Sequence, residues 1–316
     1  MNAETQTTEY TIERLTSTNL ADVERLYKAV YGRILPPGFL LKKYDTVFTA
    51  VKYVGFIAYN KQRTPIGYYG VIPCFMWIDD KRVLAAQSAD TMTHPGYRNK
   101  GFFTELAQLT YALCRNNRIN FVFGFPNQNS LPGFINKLGW QMTERMDCFI
   151  IPVNRSSWIR FFKKLPFVQR MLNRYQQVLL NRHSVQQHGV ANSVFANGFG
   201  GVYRDYDYLN YKTYAPAKVI EMANSTLWVK AGTVLLIGDI CLAPGDFDSM
   251  MYQVKKLASN LFVNEIHFHA SPGTSLHHLF SEGFKPIPSF PVIFKVLHGD
   301  YKLDEIKFTA ADIDTF

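Results

Sequence analysis

Residues 91–106 read TMTHPGYRNKGFFTEL. An apolar strand over 82–93 stops at His94-Pro95-Gly96, Arg98–Phe103 turns, and a helix over 102–116 opens at once. Leu106, Leu109 and Leu113, with Ala107 and Thr110, give that helix an apolar side. In such a turn successive backbone N–H groups point at one spot, and the helix N-terminus adds partial positive charge. Together they predict an anion cradle suited to a pyrophosphate. Gly101 lets the backbone approach closely, and Arg98 and Lys100 supply positive charge at the rim.

Upstream, residues 9–15 alternate like a strand, and Ser17-Thr18-Asn19 signals an N-cap before a helix ended by Gly32. FLLKKY is a short helix after Pro36-Pro37-Gly38. Residues 52–59 and 65–73 read as a hairpin, and 75–78 and 82–93 flank a turn at Asp79-Asp80-Lys81. Downstream, 119–125 is an apolar strand and 130–138 a short helix ending at Gly139. Residues 140–143 and 148–153 are the final strands of this half. The order predicts an α/β (α+β) fold, a mixed and mostly antiparallel sheet flanked by helices, with one βαβ crossover over 82–125.

Residues 193–298 repeat the plan. FGFPNQNSLPGFINKLGW and FHASPGTSLHHLFSEGF both read as strand, turn, helix and Gly-aromatic, which predicts an internal duplication. Three parts are expected: 1–153, a connector over 154–192, and 193–316. The connector stretch 155–182 carries seven Arg/Lys and no acid. Trp158, Phe162, Leu165, Leu172 and Leu179 follow helical spacing, so apolar side chains should pack inward and cations outward. Peripheral contact with a membrane surface and a lid over the acceptor are the other readings of that segment.

The turn after residue 97 resembles the acyl-CoA loop of the GNAT superfamily, Arg/Gln-x-x-Gly-x-Gly/Ala. Arg98 and Gly101 match its first two marked positions, and Phe103 departs from the third. Asn127-x-x-Ser130 and Leu138-Gly139-Trp140 resemble the family's downstream elements. The resemblance implies a GNAT-like fold and acetyl-CoA as co-substrate. The pyrophosphate would lie on Arg98, Asn99, Lys100, Gly101, Phe102 and Phe103. The pantetheine arm would lie along Met92, Thr93 and His94, with Asn127 and Ser130 opposite. It also implies direct transfer of an acetyl group to the primary amine of a small polar acceptor such as an amino sugar, with no covalent intermediate. The second half lacks the loop: APGDF stands there, with Asp246 and Asp248 at the helix start, so a degenerate GNAT-like copy is expected.

Asp90, on the strand before the cradle, is the candidate base; a buried structural partner is its other reading. His94 is the second candidate, or a turn residue. Where many members of the family carry a tyrosine acid, this chain has Phe134 and Ile135. The missing tyrosine and Phe103 leave open a non-catalytic acyl-CoA sensor or interaction module.

The 316 residues are 47% hydrophobic and 19% charged, which is a globular composition. No run of roughly 18 uncharged apolar residues predicts a membrane span, and the polar, acidic N-terminus is unlike a secretory signal. A cytoplasmic protein is expected. Cys74, Cys114, Cys148 and Cys241 are read as buried free thiols. His267, His269, His277 and His278 have no carboxylate or Cys at regular spacing, so no metal is expected. The net charge of +9 suits anionic ligands in general, but no nucleic-acid-binding motif accompanies it.

Overall fold

The computed structural model describes residues 10–153 and 166–316. The chain divides into two compact units. One takes the chain up to Phe75, Val83–Met142 and Ile293–Tyr301; the other takes Met76–Arg82, Thr143–Val292 and Lys302–Phe316.

In the first unit β1 (Tyr10–Arg14), β2 (Val54–Asn60), β3 (Pro65–Ile78), β4 (Lys81–Thr93) and β5 (Phe121–Gly124) lie side by side in that order. β1–β2 and β2–β3 are antiparallel, and β4–β5 is parallel. The next strand comes from the far end of the chain. Residues Ile293–Val296 of β12 (Ile287–Val296) pair antiparallel with β5. The helices are α1 (Leu20–Tyr31), α2 (Phe39–Tyr44), α3 (Phe102–Asn116) and α4 (Leu131–Leu138). α3 has the predicted bounds, but its buried face is Phe102, Leu106, Ala107, Thr110, Tyr111 and Cys114. Leu109, expected on that face, is exposed. These residues pack on Val54, Ala58, Ile66, Tyr69, Val71, Val122 and Ile293. Gly32 closes α1 in the left-handed region, as read from the sequence. Asn19 does not cap α1 with its side chain: it bridges Thr16 N–H and the Arg14 carbonyl instead.

In the second unit β6 (Gln141–Pro152) pairs antiparallel with β11 (Glu265–Ala270), which runs parallel to β10 (Leu235–Cys241). β9 (Ser225–Ala231) and β8 (Lys218–Met222) continue antiparallel. The short β7 (Gly201–Val202) pairs with Met76 and Trp77. Among the described residues the helices here are α5 (Pro166–His183), α6 (Tyr206–Tyr211), α7 (Phe247–Asn260) and α8 (Ser275–Gly283). The succession β10, α7, β11, α8 repeats β4, α3, β5, α4, with a parallel pair in each.

Two sequence expectations change. β6 is one strand, not two, and its apolar face, Phe149, Ile151 and Val153, lies in the core of the second unit with Phe268 and Phe280. The first half therefore does not keep its own last strand, and Ile293–Val296 stands beside β5 instead. Likewise β3 runs unbroken through Phe75.

In the connector, Trp158, Phe162 and Leu165 lie outside the described residues. On α5 the expected burial is only partly met. Leu172 and Leu179 are half-buried and Leu180 is buried, while Phe167, Met171 and Val178 are exposed. A polar residue anchors the helix: Gln176 donates to the carbonyls of Leu261 (2.8 Å) and Gly232 (3.2 Å). All four cysteines are free thiols, but Cys241, expected to be buried, is exposed. Among the described residues no helix is long and apolar enough to cross a membrane.

Candidate functional site

The site begins where β4 and β5 part. Their parallel register covers only Ala86↔Val122 and Gln87↔Phe123. β5 ends at Gly124, whereas β4 continues to Thr93, still held to β3 by His94 N–H on the Ile66 carbonyl. Ser88 to Thr93 thus extend past the end of the register on the β5 side. Ser88 stands at the fork, where a Cβ on Gly124 would come within 3.3 Å of its own.

At the end of β4 the predicted turn is present. His94 Nδ1 accepts Gly96 N–H at 3.2 Å and its ring packs edge-on to Tyr97, so this side chain shapes the turn. Asn99 and Gly101 both have left-handed φ, 63° and 88°. Gly101 occupies the N-cap of α3 and offers no side-chain cap. Thr104 and Glu105 N–H both turn to the Gly101 carbonyl, whereas Phe102 and Phe103 N–H, one step earlier, have no carbonyl a helical turn behind them. A Cβ on Gly101 would meet nothing within 4 Å, so the space before the helix is open. Arg98, Asn99 and Lys100 are exposed around it, and Lys100 Nζ sits 5.2 Å over the Tyr97 ring.

The two phenylalanines do different things. Phe102 is buried against Tyr10, so only its backbone can face the cradle. The Phe103 ring packs edge-on to Phe134, over Gly133, where a Cβ would come within 3.1 Å of it. The small residue of the family pattern is missing at 103, and a glycine on α4 makes the room. Asn127 is a loop-maker: its Oδ1 accepts the N–H groups of Asn129 (2.9 Å) and Ser130 (3.0 Å), and Ser130 Oγ donates to the Asn127 carbonyl.

Asp90 has partners that the sequence did not reveal. Its Oδ2 accepts from Lys43 Nζ at 2.9 Å and from Tyr44 Oη at 2.8 Å. The Lys43 side chain is only 3% exposed, against 21% for Asp90. The Tyr31 phenol feels the same charges: burial, then Asp90, raise its pKa, while Lys43 and Arg98 oppose the rise. FLLKKY therefore delivers a buried cation to β4.

A second group lies on the opposite face. Trp140 Nε1 donates to Tyr111 Oη at 2.8 Å; Tyr111 Oη is 3.1 Å from Tyr69 Oη, which is 3.1 Å from Ser88 Oγ. An indole N–H can only donate. Each hydroxyl is satisfied when Tyr111 donates to Tyr69 and Tyr69 to Ser88, which leaves the Ser88 hydrogen pointing onward. Burial raises the pKa of both phenols and holds them neutral. Tyr68 packs on Tyr44, and its neighbour Tyr69 packs on Tyr111, so the two mark opposite faces of β3. Ser88 meets Tyr69 and Asp90 meets Tyr44. Residues two apart on a regular strand share a face, so the alternation of β4 breaks between them. No pattern in the sequence signals that break.

Phe134 is buried between Trp140 and Phe103, and Ile135 packs on the same core. No hydroxyl replaces the tyrosine of the family on α4. In the second unit Gly245 also has left-handed φ, 77°, ahead of α7. Asp246 stands at the N-cap of that helix, but its carboxylate accepts from Asn224, with no cap bond.

Residues 11–143 match the family model described as acetyltransferase (GNAT) domain. Structures of similar fold include a GCN5-related N-acetyltransferase from Kribbella flavida, at 13% identity and TM-score 0.55, covering 91% of this chain and 71% of that one. Another from Anabaena variabilis, also at 13% identity and TM-score 0.55, covers 92% and 73%. A conserved protein of unknown function from Enterococcus faecalis has 11% identity and TM-score 0.58, covering 92% and 73%. No curated protein matches the chain. Residues 11–143 thus carry the match to the GNAT domain, and the mixed, mostly antiparallel fold of the chain is that of these GNAT structures.

Proposed function

We propose that the chain is a cytoplasmic N-acetyltransferase that moves an acetyl group from acetyl-CoA to the primary amine of a small polar acceptor, such as an amino sugar. One observation carries this reading: the β4–β5 register ends at Gln87 and Phe123, and β4 runs on to a turn and a helix whose first N–H groups open on free space behind Gly101. A pyrophosphate fits the second feature and an extended pantetheine arm the first. In this reading the backbone of Asn99–Phe103 holds the pyrophosphate, Arg98 and Lys100 supply field, and Met92–His94 line the arm. Asn127 and Ser130 shape the opposite bank through the loop they build.

Asp90 takes the proton of the attacking amine, directly or through water. The carbon–sulfur bond breaks as the carbon–nitrogen bond forms, and Ser88 donates a hydrogen bond to the sulfur as it gains charge. Tyr69 and Tyr111 polarise Ser88 and remain neutral, so the thiolate takes its proton from water. Three substitutions test these roles. Asp90→Asn should lower kcat by about 10²-fold. Lys43→Met, which removes the buried ammonium that holds the Asp90 carboxylate, should also lower kcat while acetyl-CoA affinity stays near that of the wild type. A folded Asp90→Asn protein with wild-type turnover would eliminate the base. Ser88→Ala should cost about tenfold in kcat, one hydrogen bond to a charged group. That loss should shrink with acetyl thioesters of more acidic thiols, whose leaving group needs less help; an equal loss with every thioester would remove Ser88 from the chemistry.

A further inference from the structure

The second unit holds a side-chain cluster that the acyl-transfer reading does not use. Cys148 on β6 stands directly across from His269 on β11, and His267 precedes it by two residues on the same face. The Cys148 sulfur and one ring nitrogen of each histidine lie within 4.8 Å of one another. Ligands on a tetrahedral zinc ion are roughly 3.4–3.8 Å apart, so small side-chain rotations suffice.

The hydrogen bonds around the cluster determine which nitrogen of each ring is available. Glu265 Oε2 lies 2.8 Å from His267 Nε2. A carboxylate accepts, so the hydrogen is on Nε2 and the lone pair on Nδ1. Ser289 Oγ donates its one hydrogen to the Met146 carbonyl at 3.1 Å, so toward His269 Nδ1, at 3.0 Å, it accepts. The His269 lone pair is then on Nε2. A carboxylate and a hydroxyl bonded to the far nitrogens of two histidines are the outer partners that metal-bound imidazoles use. The His267 side chain is 23% exposed, which gives an ion and its water a way in.

We propose that Cys148, His267 and His269 bind one zinc-class divalent cation, with water as fourth ligand, cross-linking β6 to β11. The sequence hid this set because its sulfur comes from a distant strand. His277, read with the others, is occupied elsewhere, by Asp147 Oδ2 at 2.9 Å.

The test is cobalt titration of the untagged chain after chelator treatment, read by absorption rather than activity. The expected result is a thiolate-to-cobalt charge-transfer band with intense visible bands of a four-coordinate ion, saturating at one equivalent and displaced by zinc. The bands should vanish in Cys148→Ser, weaken in His267→Gln, and persist in Cys241→Ser, which removes the exposed thiol. Zinc should raise the Tm of the wild type and not that of Cys148→Ser. Absence of the charge-transfer band in the wild type, or its survival in Cys148→Ser, overturns the proposal.

Discussion

Gly101→Glu should abolish acetyl-CoA binding in calorimetry, and Gly245→Glu should leave it intact. The two glycines are matched in what matters for a control. Both lie just before a helix, both have left-handed φ (88° and 77°), and neither has an atom within 4 Å of where a Cβ would stand. The backbone strain of a non-glycine residue, about 1 kcal/mol, is therefore common to both. Both helices start without a side-chain cap, but Gly101 is flanked by Arg98 and Lys100, whereas Gly245 precedes Asp246 and Asp248. A glutamate at 101 would set its charge where a pyrophosphate is held, and affinity should fall by at least about 10²-fold, or ~2.7 kcal/mol. Equal affinity in the wild type and Gly101→Glu would remove the cradle from the coenzyme site. Equal loss in both variants would mean strain, not charge, is responsible.

Arg204→Met should destabilise the second unit by about 3–5 kcal/mol. The Arg204 side chain is fully buried and donates to Asp239 Oδ2 at 2.6 Å, Asp312 Oδ1 at 2.8 Å and Thr309 Oγ1 at 2.9 Å. Both carboxylates are also fully buried. Methionine fills much of the volume and leaves two negative charges without their cation. Burial already raises the Asp312 pKa against the pull of Arg204. With the arginine gone that carboxyl should rise further and take up a proton as pH falls. A group whose folded-state pKa lies above its unfolded value favours folding at low pH and loses that contribution as pH rises. The deficit of the variant should therefore shrink toward acid pH and be largest near neutrality. Denaturant midpoints across pH measure this. A midpoint equal to the wild type at neutral pH would mean the network contributes nothing net.

Much of the candidate site was legible in the sequence because it is local. Arg98–Phe103, the helix behind it, Gly101 and the loop at Asn127–Ser130 need only neighbouring residues, and each is where the spacing puts it. The absence of a tyrosine on α4 was equally plain. Lys43 beside Asp90 was not legible, because only the packing of α2 on β4 brings that ammonium to the carboxylate.

By itself the sequence determined the elements: hydrophobic periodicity sets helix or strand, and glycines and turn residues set the stops. It also determined the turn at Arg98–Phe103 that opens α3, and the repeat of strand, helix, strand and short helix. Tertiary structure alone decided which strands sit together. β6 and the end of β12 are apolar on a strand face and pair with any edge of matching register, so Phe149 and Ile151 belong to the second unit and Ile293 to the first. It alone decided the reversal between Ser88 and Asp90, which is a matter of backbone register. It also brought Cys148 to His267 and His269, because cross-strand contact depends on pairing and not on distance along the chain.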